Sequence, residues 1–348
     1  MTQTLGVGFL GAGPVTQAIH LPTLARLPGL FHVSSVMDVS AEVASAVAGR
    51  VGARATTSQE ELIADPAVDV VVIGSPNALH ARQVEAACLA GKRAILCEKP
   101  LVTTRAEAKR VAAVARDTGV PIIVGTMHTF DPGWVALDQQ WGKLAADIHT
   151  VRSTIIMPPN PSTEDKATDI VGRPGPAAAG EAGGPDLQRD AEVAASGVMG
   201  LAIHNLPHLR RIIPTIDAVE YARALSPWGY VITLSGGGRT AELVGYIHSQ
   251  WRLSWTLDAI SDKNHIHVEF PPSYVHVGSA RSQVTADGTT VTSLATPENG
   301  YLEEWRRVAA VVAGSQPAPD LQGLLDDVCY AIDIADRART FILEGSAA

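Results

Sequence analysis

The chain has 348 residues, enough for two ordinary domains, with 46% hydrophobic and 18% charged residues. Its net charge of −9 and the lack of a long basic run argue against a phosphate-tracking, nucleic-acid-binding surface. Three cysteines without a CxxC pair argue against a disulfide scaffold and fit a reducing cytoplasm, and no apolar run reaches the length of a membrane span.

The opening "MTQTLGVGFLGAGP" is apolar but has no basic leader segment, and its glycines suit a turn. Residues 5–11 predict a buried strand, and 14–27 a helix broken near Pro22. Strands at 31–38, 68–75, 93–100 and 120–127 alternate with helices at 41–52, 78–91 and 104–119, each ending on glycine. Regular alternation of this kind predicts parallel βαβ units in a doubly wound sheet. The near-continuous Val/Ile runs fit strands buried on both faces.

After Gly125 the pattern changes. Residues 148–157 look like a strand, and 171–186, rich in Gly, Pro and Ala, read as a mobile loop. From about 218 to 292 come strand-like runs with turn signals, including a hairpin-type "DG" at 287–288. Two helices close the chain. The fold class is therefore α/β: a Rossmann domain over 1–126, then an α+β domain over 127–348 with a large, mostly antiparallel open sheet. The terminal helix is free to pack back on the N-terminal domain.

Gly11-Ala12-Gly13 sits where strand turns to helix, with Pro14 near the first helical position. Such a turn lets backbone N–H groups approach a pyrophosphate. The third fingerprint position, normally Gly or Ala, is Thr16, which leaves tight helix–strand packing open. Asp38 ends the second strand, where a dinucleotide fold places the carboxylate that binds ribose hydroxyls and repels a 2′-phosphate. This favours NAD over NADP. The competing reading is a glycine turn with a capping Asp.

"CEKP" closes the fourth predicted strand. Glu98 and Lys99 point to opposite faces, so one can face a ligand crevice at the carboxyl end of the sheet. A lysine there can polarise a substrate oxygen, with burial lowering its pKa. Taken alone, the same tripeptide is an ordinary surface turn.

"GFLGAGPVTQAIHLPTL", "GSPNALHARQVEAACLAGKRAILCEKPL" and "VGTMHTFDP" occur in order at spacings that resemble the Gfo/Idh/MocA oxidoreductases, the family of glucose–fructose oxidoreductase and inositol dehydrogenase. The resemblance covers roughly residues 5–135 and returns near 197–210. It implies hydride transfer between NAD(P) and a hydroxyl of a sugar, cyclitol or related polyol, in a cytoplasmic homodimer or homotetramer. It places Gly11, Ala12, Gly13, Pro14, Val15 and Asp38 on the cofactor, and Ser75, Pro76, Asn77 and His80 on its nicotinamide side. Glu98 and Lys99 fall at the reaction centre. Helix capping and packing compete as roles for Asn77 and His80. Many relatives carry an Asn and one or two Arg where this chain has Met127, His128 and Thr129. The usual clamp on a carboxylate or phosphate is then absent, and His128 is left as a substrate contact or a packing residue.

"GVMGLAIHNLPH" fits the family's C-terminal motif if His204 takes the family His; the family Asp then falls on Gly200. On this alignment His204 is the acid/base, being the side chain that ordinarily titrates nearest neutrality, and Asn205 or His208 supplies the polar contact that the Asp usually makes. Zinc is the rival reading of His204 and His208, weakened by the missing third ligand and by Pro207. Both histidines read equally as polar residues at the edge of a core. Two further functions stay open: a glycoside-cleaving enzyme that recycles NAD within each turnover, and a non-catalytic sugar sensor.

Overall fold

The computed structural model of the chain describes residues 4–173, 186–248 and 253–345. It divides into two compact units. The first holds Met1–Gly125, Glu164–Ala177 and Tyr301–Val328, and the second Thr126–Thr163, Ala178–Gly300 and Cys329–Ala348. The first unit is interrupted after Gly125, and two later segments group with it.

The first unit opens with β1 (Leu5–Leu10) and a helical stretch that is π-helical over Thr16–His20 before α1 (Leu21–Ala25). Helix and proline coexist because Pro22 falls in the first turn of α1, where an N–H is dispensable. The π segment takes up the change of register. There follow β2 (Phe31–Met37), α2 (Ala41–Val51), β3 (Arg54–Thr56), α3 (Gln59–Ala64), β4 (Val70–Ile73), α4 (Asn77–Leu89), β5 (Ala94–Cys97), α5 (Arg105–Thr118) and β6 (Ile122–Val124). Local chemistry sets several ends: Ser40 and Ser58 cap α2 and α3, and Thr104 with Glu107 forms a capping box on α5. The short β3 and α3 are absent from the sequence reading, since three and six residues carry too little periodicity.

Among the described residues, the six strands of this unit run parallel in the order β3-β2-β1-β4-β5-β6. That order reverses direction beside β1, which makes the switch point where dinucleotide folds hold their ligand. Val7, Val70–Ile73 and Ile95–Cys97 are fully buried, as expected for strands covered on both faces.

The second unit contains α6 (Pro132–Leu144), β7 (Thr150–Met157), α8 (Leu187–Gly200) and α9 (Leu206–Arg210), while α7 (Pro161–Ala167) straddles the two units. Strands β8 (Ala218–Leu225), β9 (Gly229–Gly236), β10 (Arg239–Ile247), β11 (Ser254–Ile260), β12 (Asn264–Glu269), β13 (Arg281–Ala286) and β14 (Thr289–Ser293) follow. Helices α10 (Gly300–Val312) and α11 (Leu321–Glu344) end the chain; α10 groups almost wholly with the first unit, and α11 is shared. Among the described residues the sheet has eight strands, ordered β14-β13-β12-β11-β7-β10-β9-β8. Every pair is antiparallel except β7 with β10.

Strand alternation gives this sheet one apolar face: Val151, Ile155, Ile232, Leu243, Trp255, Leu257 and Val268 are buried. The other carries polar residues such as Arg152, Glu242, Asp258 and His267. At the "DG" turn, Asp287 and Gly288 have φ of +48° and +75°, the geometry of a tight two-residue hairpin. Of the predicted loop at 171–186, residues 174–185 lie outside the described residues. Among the described residues no helix is long and apolar enough to cross a membrane.

Candidate active site

The glycine turn follows directly from β1. Gly11 has φ +98°, and a Cβ there would lie 2.7 Å from the Gly74 carbonyl oxygen, so only glycine fits. Gly13 differs: nothing lies within 4 Å of where its Cβ would be, which leaves open space for close approach of a ligand to the backbone. Thr16 does not loosen the turn. It is fully buried, and its hydroxyl donates to the Gly11 carbonyl at 2.6 Å. The side-chain-free Gly74 lies opposite, with its Cβ position 3.2 Å from that hydroxyl. Tight packing thus survives without the fingerprint's small residue.

Asp38 is tied to this turn. Its Oδ2 accepts the Ala12 N–H and its Oδ1 the Ser40 N–H, each at 3.0 Å. The carboxylate therefore caps and buttresses the turn, and each oxygen keeps a second lone pair for a ribose hydroxyl. Gln17, which the sequence reading passed over, adds a second brace. It donates to the Ala12 carbonyl at 2.7 Å and exchanges hydrogen bonds with the backbone of Val171 at 2.9 Å.

On the other side of β1, Ser75, Pro76 and Asn77 form the turn from β4 into α4, with Pro76 and Asn77 exposed. His80 is 1% exposed, and both ring nitrogens lie 2.8 Å from backbone carbonyls, those of Ser75 and Pro100. It joins the two turns from beneath rather than presenting a free edge to a cofactor.

Glu98 and Lys99 leave the carboxyl end of β5, and the Lys99–Pro100 peptide bond is cis. Burial pulls the Lys99 ammonium below the usual lysine range, with the Glu98 charge opposing it. Burial pushes Glu98 up, but the His20 hydrogen bond, together with the charge of Lys99, outweighs it and holds the group below the usual carboxylate range. Gly125 makes room: a Cβ there would lie 3.0 Å from the Glu98 carboxyl. His20 is absent from the sequence reading; its partners Glu98 and Trp305 are distant in sequence.

The second unit gathers His128, His204 and His208. His128 sits in the 3-10 turn Met127–Phe130, stacked on Phe270 with ring centroids 4.2 Å apart, and 4.7 Å from Trp255. His204 ends a second 3-10 turn, with its ring 5.9 Å from His128 and 5.3 Å from Trp255. His208 lies in α9 between Trp134 and Phe270, at 3.8 Å and 5.6 Å. The two motif histidines are thus not on one continuous helix. Pro207 starts α9 rather than disturbing it.

Burial depresses the His128 pKa to about 3, with contacts to the Pro271 backbone and Asn205 opposing. Burial, then the nearby His128, holds His208 well below the usual histidine range.

Two residues expected from sequence as substrate contacts are buried. Asn205 is fully buried, donating to Ser153 Oγ at 2.9 Å and accepting the Trp255 indole N–H at 3.1 Å. His208 is 1% exposed, and its buried Nε2 has no hydrogen-bond partner. Both are packed within the second unit. Gly200 ends α8 at the surface, with nothing within 4 Å of its Cβ position. His128, at 1% exposure, is likewise packed, whereas His204 keeps 5%. No group of three His, Cys, Asp or Glu among the described residues is placed to hold a metal ion.

A parallel 3-2-1-4-5-6 sheet, a glycine turn and an acidic second-strand end define a Rossmann-type dinucleotide-binding domain, followed by an open-sheet α+β domain. Residues 5–126 match the model of the Gfo/Idh/MocA oxidoreductase family, described as having an NAD-binding Rossmann fold. A 1,5-anhydro-D-fructose reductase of Ensifer adhaerens is 38% identical over 122 residues, 35% of this chain and 35% of that protein. An inositol 2-dehydrogenase of Paenarthrobacter aurescens is 41% identical over 138 residues, 38% of this chain and 41% of the relative. The chain thus matches little more than a third of the length of these relatives. The whole fold is shared more widely. A 3-ketoreductase of Actinomadura kijaniata, solved with NADP and TDP-benzene, superposes with a TM-score of 0.72 at 18% identity, over 96% of this chain and 98% of that one. A biliverdin reductase from Synechocystis, solved with biliverdin and NADP+, gives 0.67 at 20% identity over 95% and 97%.

Proposed function

We propose that the protein is an NAD-dependent oxidoreductase that transfers a hydride between nicotinamide and a hydroxyl-bearing carbon of a sugar, cyclitol or glycoside. The observation that carries the reading is Lys99. It is a lysine with a depressed pKa, beside a carboxylate, at the carboxyl end of a parallel strand in a family Rossmann domain. The names of the sequence relatives, a reductase and a dehydrogenase of polyhydroxylated rings, support the substrate class.

The open space at Gly13 and the fixed turn at Gly11 fit a dinucleotide. Gly11, Ala12, Gly13, Pro14 and Val15 would hold its pyrophosphate, and Asp38 its ribose hydroxyls. Ser75, Pro76 and Asn77 would border the nicotinamide, with His80 supporting them. When bound, the nicotinamide supplies the hydride acceptor or donor. Lys99 donates a hydrogen bond to the substrate oxygen and stabilises the negative charge that develops there. His204 takes the hydroxyl proton in oxidation and returns it in reduction. Asp38 supports NAD over NADP, since a second negative charge beside a 2′-phosphate is repulsive. Asp38→Ala is expected to raise the use of NADP relative to NAD by about tenfold or more, relief of one like-charge contact being worth about 1.4 kcal/mol.

The test is NADH binding by fluorescence and turnover across a panel of sugars, cyclitols and glycosides. Cofactor binding with reduction or oxidation of at least one ring hydroxyl is the expected result. Neither binding nor turnover would overturn the reading. Glycoside cleavage without net NADH would replace it with a cofactor-recycling lyase or hydrolase, and an unaltered sugar recovered from a tight complex would replace it with a sensor.

A further inference from the structure

The first unit buries a hydrogen-bonded chain that the proposed chemistry does not use. It begins at Trp305 in α10, which is fully buried and donates its indole N–H to His20 Nδ1 at 3.2 Å. An indole N–H can only donate, so His20 Nδ1 accepts and its hydrogen sits on Nε2. That nitrogen lies 3.2 Å from Glu98 Oε1 and donates to it. The second carboxylate oxygen accepts the backbone N–H of Lys99 at 3.2 Å. His20 itself is 1% exposed, with its ring edge-on to Trp305 at 5.8 Å, while Phe31 packs on Trp305 at 5.0 Å. The chain is thus fixed in both orientation and tautomer.

A competitor for protons stands beside it. Glu304, the residue before Trp305, is 1% exposed, and its buried Oε2 has no hydrogen-bond partner. Two neighbouring carboxyls in one apolar environment do not both ionise readily. Which of them keeps the negative charge depends on hydrogen bonding, and the donors are on Glu98. Burial, then the Glu98 charge, accordingly pushes Glu304 well above the usual carboxylate range. The titratable groups facing Glu98 are His20 from the π-helical segment, Lys99 on its own turn, His80 from α4 and Glu304 from α10.

We infer that His20, oriented by Trp305, is a positioning residue for Lys99: its hydrogen bond keeps Glu98 rather than Glu304 the carboxylate, and that negative charge sustains the Lys99 ammonium. The role of Lys99 in the reaction rests on the oxidoreductase reading above; the effect of His20 on Lys99 does not. Without the His20 donor the proton is redistributed toward Glu98, Lys99 loses its counter-charge, and the ammonium deprotonates at lower pH. No bond to carbon changes in this step; only the residence of one proton does.

The test reads Lys99 directly, by competitive labelling of the full-length protein with acetic anhydride across pH and mass spectrometry of the Lys99 peptide. His20→Phe is expected to lower the labelling midpoint by about one pH unit, the low end of the effect of a neighbouring opposite charge. At a fixed pH below the midpoint that is roughly tenfold more labelling. His20→Gln can donate to Glu98 through its amide and is expected to return the midpoint to within about a third of a unit of wild type. Trp305→Phe keeps the packing but frees the tautomer, and is expected to shift the midpoint the same way by a smaller amount, roughly threefold in labelling. The alkaline limb of kcat should move with these midpoints while KM for NADH holds.

Unchanged midpoints in whichever of His20→Phe and Trp305→Phe folds would overturn the inference. So would a His20→Gln shift as large as that of His20→Phe. A wild-type protein that turns over no substrate would defeat the oxidoreductase reading and leave the labelling result standing.

Discussion

Around Glu98 and Lys99, ionisable groups face one another: Glu98 is hydrogen-bonded to His20 and to the Lys99 backbone, and it interacts electrostatically with the Lys99 ammonium and with Glu304. Around His128, His204 and His208 the neighbours are rings, and the imidazoles stack on Phe270 or lie against Trp134 and Trp255. Water is removed from both regions, with opposite results. In the first, paired partners stabilise charge, so a small change in one group alters the charge on the next. In the second, apolar faces penalise charge, so His128 and His208 stay neutral and act as flat, polarisable core residues. His128 and His208 therefore resist protonation, and Lys99 gives its proton up more readily than lysine ordinarily does.

The sharpest way to break this comparison is Lys99→Ala. Loss of a positioned proton donor is worth roughly 10²–10⁴ in rate, so kcat is expected to fall at least about 100-fold with NADH affinity retained. A mild loss would remove the charged cluster from the chemistry.

The next effect is on stability. His128 titrates near 3 when folded and near 6.5 when unfolded. Its folded pKa is depressed, so its full contribution is present above about pH 6.5 and is lost as pH falls toward 3. Between pH 7 and pH 5 this amounts to roughly 2 kcal/mol, and His208 adds in the same direction. Urea denaturation at the two pH values should show a smaller drop in His128→Phe than in wild type; equal drops would mean that the imidazole is not kept neutral.

A smaller effect separates packing from polarity. His208→Phe removes a buried nitrogen without a partner but adds volume, and these oppose each other to within about 1 kcal/mol. A loss of several kcal/mol, read from chemical denaturation, would show that the His208 ring carries a polar role. The smallest effect belongs to Gly200→Asp. The open surface position should take the carboxylate with a change within about 0.5 kcal/mol, which thermal unfolding would check. Any accompanying rise in kcat would mark the position as the one where the family carboxylate acts.

The sequence is most legible where the signal is local. The strand–turn–helix at Gly11 and the apolar runs of β1, β4 and β5 reveal the parallel sheet, because burial on both faces and a glycine turn leave marks within a few residues. The "DG" of the β13–β14 hairpin is legible for the same reason. Pairing across the chain is not. Trp305 and His20 are 285 residues apart, and nothing in either stretch announces the other. Spacing also misled at His204 and His208: four residues apart suggests one helical face, but the backbone passes from a 3-10 turn into a new helix between them. Asn205 looked available for substrate because it is polar. Its partners Ser153 and Trp255 come from strands about fifty residues away on either side.

The place of β7 bears on how the second unit comes together. Strands β8 to β10 are joined by short connections, and β11 to β14 by short turns and one longer loop between β12 and β13, and such meanders close quickly because their contacts are local. β7 is made first and lies between the two groups, paired on one side with β10 across 90 residues, as at Thr150 and Thr240. It is the seam of the sheet. Until it is captured, each meander exposes a strand edge of unpaired backbone, the kind of surface that templates aggregation. Capture of β7 therefore carries the largest loop-closure entropy in that sheet, and it is the step at which a slow or crowded folding reaction would go astray.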